Sequence, residues 1–275
     1  YILVKQGAKI NAVGTPDKPI VMTSEKEEPG AWGGIHICGK AHTNAEGGKG
    51  SSEIGCAVYG GNDDADNSGT LQYIRLEYTG FAFDEEHEAN GISFYGVGNG
   101  TIVDHCEAYK GSDDGFEFFG GSVNVSNMVV VSCSDDSFDW TEGWNGKGTD
   151  LVAYQEAKAT LGYDCDCLIE ADNNENDNAA TPVSHPVLKN LILAGNGESK
   201  QGIRLRRGTQ ADIDNAKVCG KGQPLVVESA LTNASLKNGT SRLTNMTVTA
   251  ALKSDGDYTN DDFTAETSNK VDATL

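Results

Sequence analysis

The residues best suited to chemistry in this sequence are acidic, and they recur in one local pattern. Three segments share an Asp four positions before an acidic residue that has apolar neighbours on both sides: Asp113 and Glu117, Asp135 and Asp139, and Asp166 and Glu170. Asp114 and Asp136 add a carboxylate to the first two segments. Carboxylate oxygens in such excess are the ligands that Ca²⁺ prefers, and crowding also raises the pKa of some carboxyls.

Three interpretations of these acidic segments are open. A calcium site would take its ligands from six residues: Asp113, Glu117, Asp135, Asp139, Asp166 and Glu170. A catalytic set of the inverting-glycosidase kind, which needs two carboxylates about 6.5–9.5 Å apart, would use four residues: Asp113, Asp114, Asp135 and Asp136. The third interpretation is an acidic ladder in water, in which salt screens the repulsion and no ligand binds.

Two tryptophans and an arginine near these segments are candidate ligand-binding residues. Trp140 and Trp144 could stack on a neutral sugar, or they could belong to the core and to a turn. Arg204 could neutralise one end of the acidic series, and Arg204 or Arg206 could serve as the base of a calcium-assisted lyase. No Gly-x-Ser-x-Gly, phosphate-loop or dinucleotide-binding motif is present.

A repeated four-residue pattern must position these side chains. It consists of a small or apolar residue, an apolar, a polar and an apolar one, and it recurs at Gly91–Phe94, Gly115–Phe118, Ser137–Trp140, Leu168–Ala171 and Gly202–Leu205. The polar residues of successive copies are 24, 22, 31 and 34 positions apart. Short strands and Gly, Asn and Asp turns at a period of 22–24 residues predict an all-β fold, a parallel β-helix. The longer intervals predict loop insertions, and Asp172–Ala180 and Gly39–Gly55 are the two candidates.

The strand period decides which way the acidic side chains face. Side chains of a strand alternate between two faces, so Phe116 and Phe118 should point into the coil and Glu117 out of it. Successive turns stack about 4.8 Å apart. The polar residues should therefore form one outward column: Ser93, Glu117, Asp139, Glu170 and Arg204. An antiparallel sandwich is the alternative fold, but it does not require one pattern to return at one phase. Helix is expected only as one or two turns within Glu156–Leu161.

Composition and charge narrow the organisation and the partners. We expect one domain, with the coil at 1–230 and a polar cap or tail at 231–275. The net charge of −20 argues against nucleic acid, because the field of the protein repels phosphate. No apolar run of about 18 residues exists, so no transmembrane span is expected. Seven irregularly spaced cysteines predict buried thiols together with one or two disulfides, whose pairing stays open.

Several segments carry a resemblance to a known group of proteins: Asp113–Gly121, Asp135–Trp144, Glu170–Asn174, Trp32–Ile35 and Gly202–Arg206. Over residues 5–230 the chain resembles bacterial secreted proteins and lipoproteins that are mostly described as hypothetical. The resemblance implies a right-handed parallel β-helix in an extracellular or cell-surface setting. It implies no activity and therefore no catalytic residue. Tyr1 opens directly into a strand pattern, so we expect the chain to be a mature or trimmed piece.

The sequence favours a structural, adhesive or filament-forming role at the cell surface, with Ca²⁺ as a stabilising ion, over catalysis. A solenoid ends in open strand edges, so a second copy could pair there and build a filament. Two alternatives involve a glycan as the partner. One is a polysaccharide-degrading enzyme of the glycoside hydrolase or lyase type, and the other is a carbohydrate-binding module.

Overall fold

The computed structural model describes residues 1–83, 87–198 and 200–275. In chain order its strands are β1 (Ile2–Val4), β2 (Ile10–Val13), β3 (Ile20–Met22), β4 (Ile35–Cys38), β5 (Gly50–Ser51), β6 (Val58–Tyr59), β7 (Gly69–Glu77), β8 (Ile92–Tyr95), β9 (Ile102–Tyr109), β10 (Phe116–Phe119), β11 (Asn124–Val131), β12 (Phe138–Thr141), β13 (Lys147–Tyr154), β14 (Ile169–Ala171), β15 (Val187–Ala194), β16 (Gln201–Leu205), β17 (Asp212–Cys219), β18 (Gln223–Val227), β19 (Arg242–Thr244), β20 (Thr247–Val248), β21 (Lys253–Ser254) and β22 (Lys270–Val271). Its helices are α1 (Lys158–Leu161), α2 (Ala230–Lys237), α3 (Asn260–Ala265) and a 3₁₀ helix at Glu46–Gly48.

Two long parallel sheets follow the coil from turn to turn. Sheet A has the order β1-β4-β8-β10-β12-β14-β16-β18-β21. Sheet B has the order β2-β7-β9-β11-β13-β15-β17-β20-β22, with β3 beside β7 and β19 beside β17. Strands that are neighbours in a sheet are separated along the chain, because each turn gives a strand to one sheet and then to the other. This topology confirms the predicted parallel β-helix.

The register of sheet A places the repeated segments directly beside one another. Ser93 pairs with Glu117 and Glu117 with Asp139. Asp139 pairs with Glu170 and Glu170 with Arg204. The predicted column is therefore present in the predicted order.

Aromatic side chains fill the inside of the coil beneath this column. Phe116, Phe118 and Phe138 are 0%, 1% and 3% exposed, as the strand alternation requires. The rings of Phe94 and Phe118 stack with their centroids 5.0 Å apart. Each buried side chain of this size stabilises the fold by roughly 1.5–3 kcal/mol, so the sheet that carries the acidic residues has a rigid base.

The two tryptophans belong to this core. Trp140 and Trp144 are each 1% exposed, and their Nε1–H groups donate to Oγ1 of Thr209 (3.0 Å) and to the carbonyl of Val123 (3.1 Å). The ring of Trp144 stacks on Phe118 at a centroid distance of 4.1 Å. The sugar-stacking role considered for both residues is therefore wrong, because neither ring reaches the surface.

The C-terminal region continues the coil. Strands β19 and β20 pair with β17, β21 pairs with β18, and β22 pairs with β20. Met246, Val248 and Phe263 are 0% exposed and belong to the same hydrophobic core as the preceding turns. One core therefore runs through both 1–230 and 231–275.

Helices are more frequent than the sequence predicts. Helix α1 lies within the expected segment, but α2 and α3 contradict the restriction of helix to that segment. Helix α3 has a sequence signal, a capping box in which Thr259 accepts from the backbone N–H of Asp262 and Asp262 accepts from that of Thr259. Here local capping outweighs a composition that disfavours helix.

The cysteines are reduced in this structure. All seven cysteines lie in the described residues and all are free thiols, so the expected disulfides are wrong. Burial instead explains five of them, Cys38, Cys106, Cys133, Cys165 and Cys167. Within the described residues, no helix is long and apolar enough to cross a membrane.

Candidate functional site

An acidic cleft lies on the outer face of sheet A. Two pockets of about 270 and 210 Å³ share Glu53, Glu117 and Asp139 as lining residues, and we call them together the acidic cleft. Glu117 and Asp139 come from the column on β10 and β12, whereas Glu53 comes from the insertion that follows β4. The sheet therefore forms the floor of the cleft and an inserted loop forms part of its wall.

Two aspartates at the corner beside this floor join successive turns. The backbone N–H of Asp136 donates to Oδ1 of Asp114 (2.8 Å), and the backbone N–H of Cys167 donates to Oδ1 of Asp136 (2.6 Å). Asp114 and Asp136 are 6% and 5% exposed. These hydrogen bonds fix the orientation of both carboxyl groups, which is a structural role in addition to any part in binding.

The acidic side chains come close enough to share a cation. In the described residues, four groups of three side chains have ligand atoms within 4.8 Å of one another: Asp113, Asp114 and Asp135; Asp114, Glu117 and Asp139; Asp136, Asp139 and Glu170; and Asp136, Asp166 and Cys167. The six ligands suggested by the sequence all occur in these groups, but they are spread over four overlapping groups rather than gathered in one. Asp114 and Asp136, which the sequence assigned to the catalytic alternative, each belong to two groups.

Asp139 belongs to two of these groups and has unmet hydrogen-bonding capacity. Its Oδ1 atom is buried and accepts no hydrogen bond from any residue that the structure describes. Glu117, by contrast, accepts a hydrogen bond from Nδ2 of Asn90 at 2.6 Å. A buried polar atom without a partner costs about 1–3 kcal/mol, and more when it is charged. Asp139 is therefore the place where the cleft would gain most from a proton or a cation.

Burial and mutual repulsion raise the pKa of the cleft carboxyls. Burial, reinforced by Glu88 and Asp135, raises the pKa of Asp113 to about 8. Burial raises the pKa of Glu53 to about 7. Burial and acidic neighbours raise the pKa of four further carboxyls: Asp114, Glu117, Asp136 and Asp139. Two carboxylates within 4.8 Å repel by about 3.5 kcal/mol at an effective dielectric constant of 20. Protons or a cation must therefore offset part of the charge near neutral pH.

Arginines neutralise the other end of the column. Arg204 pairs with Glu170 (3.1 Å) and with Glu228 (3.0 Å). Arg206 donates to Glu170 and to Asp172, the latter at 2.7 Å. Burial lowers the pKa of Arg206 and the hydrogen bond to Asp172 raises it, with an upward net shift. Both arginines are thus committed to carboxylate partners.

The rest of the cleft has no such compensation. Among the residues that the structure describes, the cleft carboxyl groups that form no ion pair with a cationic side chain include Glu53, Asp113, Asp114, Glu117, Asp135, Asp136 and Asp139. Asp166, at the edge, lies 3.5 Å from Nζ of Lys200. The uncompensated charge is therefore concentrated around Glu117 and Asp139.

Glu53 and Glu142 are two of the cleft acids that lie outside the repeated pattern. The hydroxyl of Tyr95 donates to Glu53 (3.2 Å), and the hydroxyl of Tyr59 donates to Glu142 (2.8 Å). Glu53 lies in the insertion after β4, and Glu142 follows β12. Sequence reasoning missed both, because no periodicity predicts where an irregular segment returns to the sheet.

Comparisons with known proteins give one family match and one similar solved structure. A family model described as a pectate-lyase-like β-helix domain matches residues 1–274. No curated protein matches the chain significantly. Among solved structures, the A-module of a mannuronan C-5 epimerase from Azotobacter vinelandii is similar at 13% identity, with 87% of this chain and 80% of that chain covered and a TM-score of 0.36.

Proposed function

The chain belongs to the pectate-lyase-like β-helix domain family, and on this premise we propose that its acidic cleft binds an extracellular polysaccharide through a divalent cation. The ion we propose is Ca²⁺. The observation that carries the proposal is Asp139, whose buried Oδ1 has no hydrogen-bond partner among the described residues while Asp114 and Glu117 lie within 4.8 Å. A hard cation would satisfy all three carboxylates at once.

The chemistry of the donors supports calcium over a softer metal. The group formed by Asp114, Glu117 and Asp139 offers carboxylate oxygens alone. Ca²⁺ takes six to eight oxygen ligands, so three carboxylates leave positions for the oxygens of another molecule. Sugar hydroxyls and uronate carboxylates are such ligands. A polyanionic glycan would otherwise be repelled by a protein of net charge −20, so the ion would be its point of attachment.

The arginines argue against the lyase form of this proposal. A base that removes a proton from a sugar must be free and must deprotonate readily. Arg204 and Arg206 are held in ion pairs with Glu170, and the net shift of each pKa is upward. Neither arginine fits the role of base that the sequence left open.

Hydrolysis is a second candidate, and one observation favours it. Asp113 is 8% exposed and its pKa is raised to about 8, so it holds a proton at neutral pH, as a general acid must. The test is the release of reducing ends from a panel of neutral and acidic glycans by the wild-type protein and by the Asp113→Asn variant. Release by the wild type alone would support this candidate, and release by neither would exclude it for the panel.

The structural or adhesive role expected from the sequence is the non-catalytic form of the same proposal. A protein that holds a polysaccharide through Ca²⁺ without turning it over would attach a surface to that polysaccharide. The extracellular location and the end-to-end self-association belong to this proposal as well. Light scattering at high protein concentration, with and without Ca²⁺, tests the self-association, and a monomer in both conditions would argue against it.

Titration calorimetry with CaCl₂ tests the proposed ion site. We expect Ca²⁺ binding to the wild type and at least tenfold weaker binding to Asp139→Asn. Asp17→Asn is the matched control, because it makes the same substitution at an exposed turn between β2 and β3 of sheet B, and Asp17 does not line the acidic cleft. Gel retardation in polygalacturonate should then depend on Ca²⁺ and disappear with EDTA. Equal calcium binding by the wild type and Asp139→Asn would contradict the proposal, as would retardation that EDTA does not change.

A further inference from the structure

Sheet B carries a second concave surface, which does not involve the acidic cleft. A pocket of about 490 Å³ opens on its outer face, and we call it the sheet B groove. It spans β9, β11, β13, β15 and β17, so it crosses successive turns of the coil. The base of the groove is polar and one of its walls is apolar. In both, a residue of the same kind recurs once per turn of the coil.

The base of the groove is a ladder of polar residues in left-handed backbone conformation. Asn127, Asp150, Asn190 and Asn215 have φ angles of 53°, 58°, 60° and 60°. The residues before and after them pair between strands, so the ladder residues stand opposite one another on successive turns. Asparagine and aspartate tolerate this conformation better than other residues with a Cβ atom. The ladder therefore bends each strand outward at the same point and makes the surface concave.

The ladder amides are only partly used by the protein. Nδ2 of Asn190 donates to Asp150 (2.8 Å), and Nδ2 of Asn215 donates to Oδ1 of Asn190 (2.8 Å). A primary amide has two N–H donors and two acceptor positions. Each of these asparagines thus keeps at least one N–H for a ligand, on residues that line an open groove.

An apolar row forms the wall beside the ladder. Val129, Val152 and Ile192 pair in register on β11, β13 and β15, two positions beyond the ladder residues. Ile192 is 56% exposed, and the two valines are half-buried. Lys217 continues the row on the next turn. Water therefore meets a continuous apolar strip next to a line of hydrogen-bonding groups.

The charge of the groove contrasts with that of the whole protein. Its lining includes one acid, Asp150, and one lysine, Lys217, so these charges balance within a chain of net charge −20. An anionic polymer would gain little from this surface, and a cationic one would prefer the acidic cleft. The groove therefore suits an uncharged ligand.

We propose that the sheet B groove binds a neutral, linear polysaccharide that lies along the coil axis. Turns of a parallel coil are about 4.8 Å apart, so the hydrogen-bonding groups and the apolar side chains recur at that step. A linear glycan also repeats a hydroxyl-bearing edge and a C–H face along one axis. Binding here requires no cation, which separates it from the function proposed for the acidic cleft.

Affinity gel electrophoresis in hydroxyethyl cellulose, xylan and galactomannan tests this proposal, with EDTA present throughout. We expect retardation in at least one gel, and a dissociation constant at least tenfold higher for Ile192→Ser and for Asn190→Gly. Glycine accepts the left-handed conformation of Asn190, so the second variant removes the amide without straining the backbone. Val13→Ser is the control, because Val13 is 57% exposed on the same sheet but outside the groove. Thermal melting confirms that each variant is folded.

Three results would overturn the proposal. The first is the absence of retardation in all three neutral glycans. The second is retardation that Asp139→Asn removes and Ile192→Ser does not, since the glycan would then occupy the acidic cleft. The third is self-association in light scattering that Ile192→Ser abolishes, because a second copy of the chain would then cover the groove.

Discussion

Replacement of Asp139 by asparagine should stabilise the cation-free protein while weakening its binding of Ca²⁺. Asp139 Oδ1 is buried without a hydrogen-bond partner among the described residues, and carboxylate oxygens of Asp114, Glu117, Asp136 and Glu170 lie within 4.8 Å of its carboxylate. Asparagine has nearly the same shape and carries no charge. Its amide N–H could also donate to Glu117 or Glu170, which flank it in the column. The same carboxyl group would then destabilise the cation-free fold and bind the cation.

The expected gain follows from either protonation state of Asp139. If the carboxyl is ionised, each ionised neighbour within 4.8 Å repels it by about 3.5 kcal/mol at an effective dielectric constant of 20. If it is protonated at pH 7, folding has raised its pKa above the unfolded value of about 3.9, and keeping that proton costs about 4 kcal/mol. Both routes predict that Asp139→Asn stabilises the protein by up to about 4 kcal/mol at pH 7. At roughly 2–4 °C per kcal/mol, the melting temperature should therefore rise by up to about 8–16 °C.

Thermal melting in EDTA, followed by circular dichroism at pH 7 and at pH 4, is the assay. The gain should almost vanish at pH 4, because the unfolded chain is then about half protonated at this position as well. Ca²⁺ at 1,000 times its dissociation constant would stabilise the wild type by about 4 kcal/mol and should remove the advantage of the variant. Asp17→Asn should show neither effect. A variant less stable than the wild type in EDTA, or a gain equal at both pH values, would refute the reasoning.

Three further predictions concern the surroundings of the cleft. Arg206→Gln should destabilise the protein by about 3 kcal/mol in urea unfolding, because it leaves Glu170 and Asp172 without the cation that pairs with both. Arg207→Gln is the control and should cost at most about 1 kcal/mol, because the Arg207 side chain is 37% exposed. Trp144→Ala should cost about 3–5 kcal/mol through a core cavity, without changing calorimetric Ca²⁺ affinity once folded. Burial raises the pKa of Asp113 to about 8 and that of Glu53 to about 7, so the folded state holds protons that the unfolded chain releases near pH 4. Stability without cation should therefore fall as the pH rises from about 4 to about 8, as measured by melting in EDTA, and a stability that rises over this range would contradict the assignment.

The fold and the floor of the cleft could be predicted from the sequence because both follow from short-range rules. The alternation of strand side chains turns Glu117 outward, and the return of one pattern at one phase stacks it on Asp139. The wall could not be predicted in this way. Glu53 reaches the cleft on an insertion held by Tyr95, and that contact depends on tertiary structure. Trp144 was ambiguous for the same reason, because its burial depends on the turn that folds over it.

The same register shows that the acidic residues are not a requirement of the fold. Along sheet A the equivalent outward position holds Ser93 before the acidic turns and Arg204 and Val226 after them. A hydroxyl, a cation and an aliphatic side chain are thus all compatible with stacking at this position. Three consecutive acids repel one another, and one buried oxygen of Asp139 has no hydrogen-bond partner in the part of the chain that the structure describes. Both features cost stability that a serine, an arginine or a valine at this position would not cost. The acidic residues of these turns are therefore unfavourable for the packing of the coil itself. A ligand that offsets their repulsion would explain why the coil carries them.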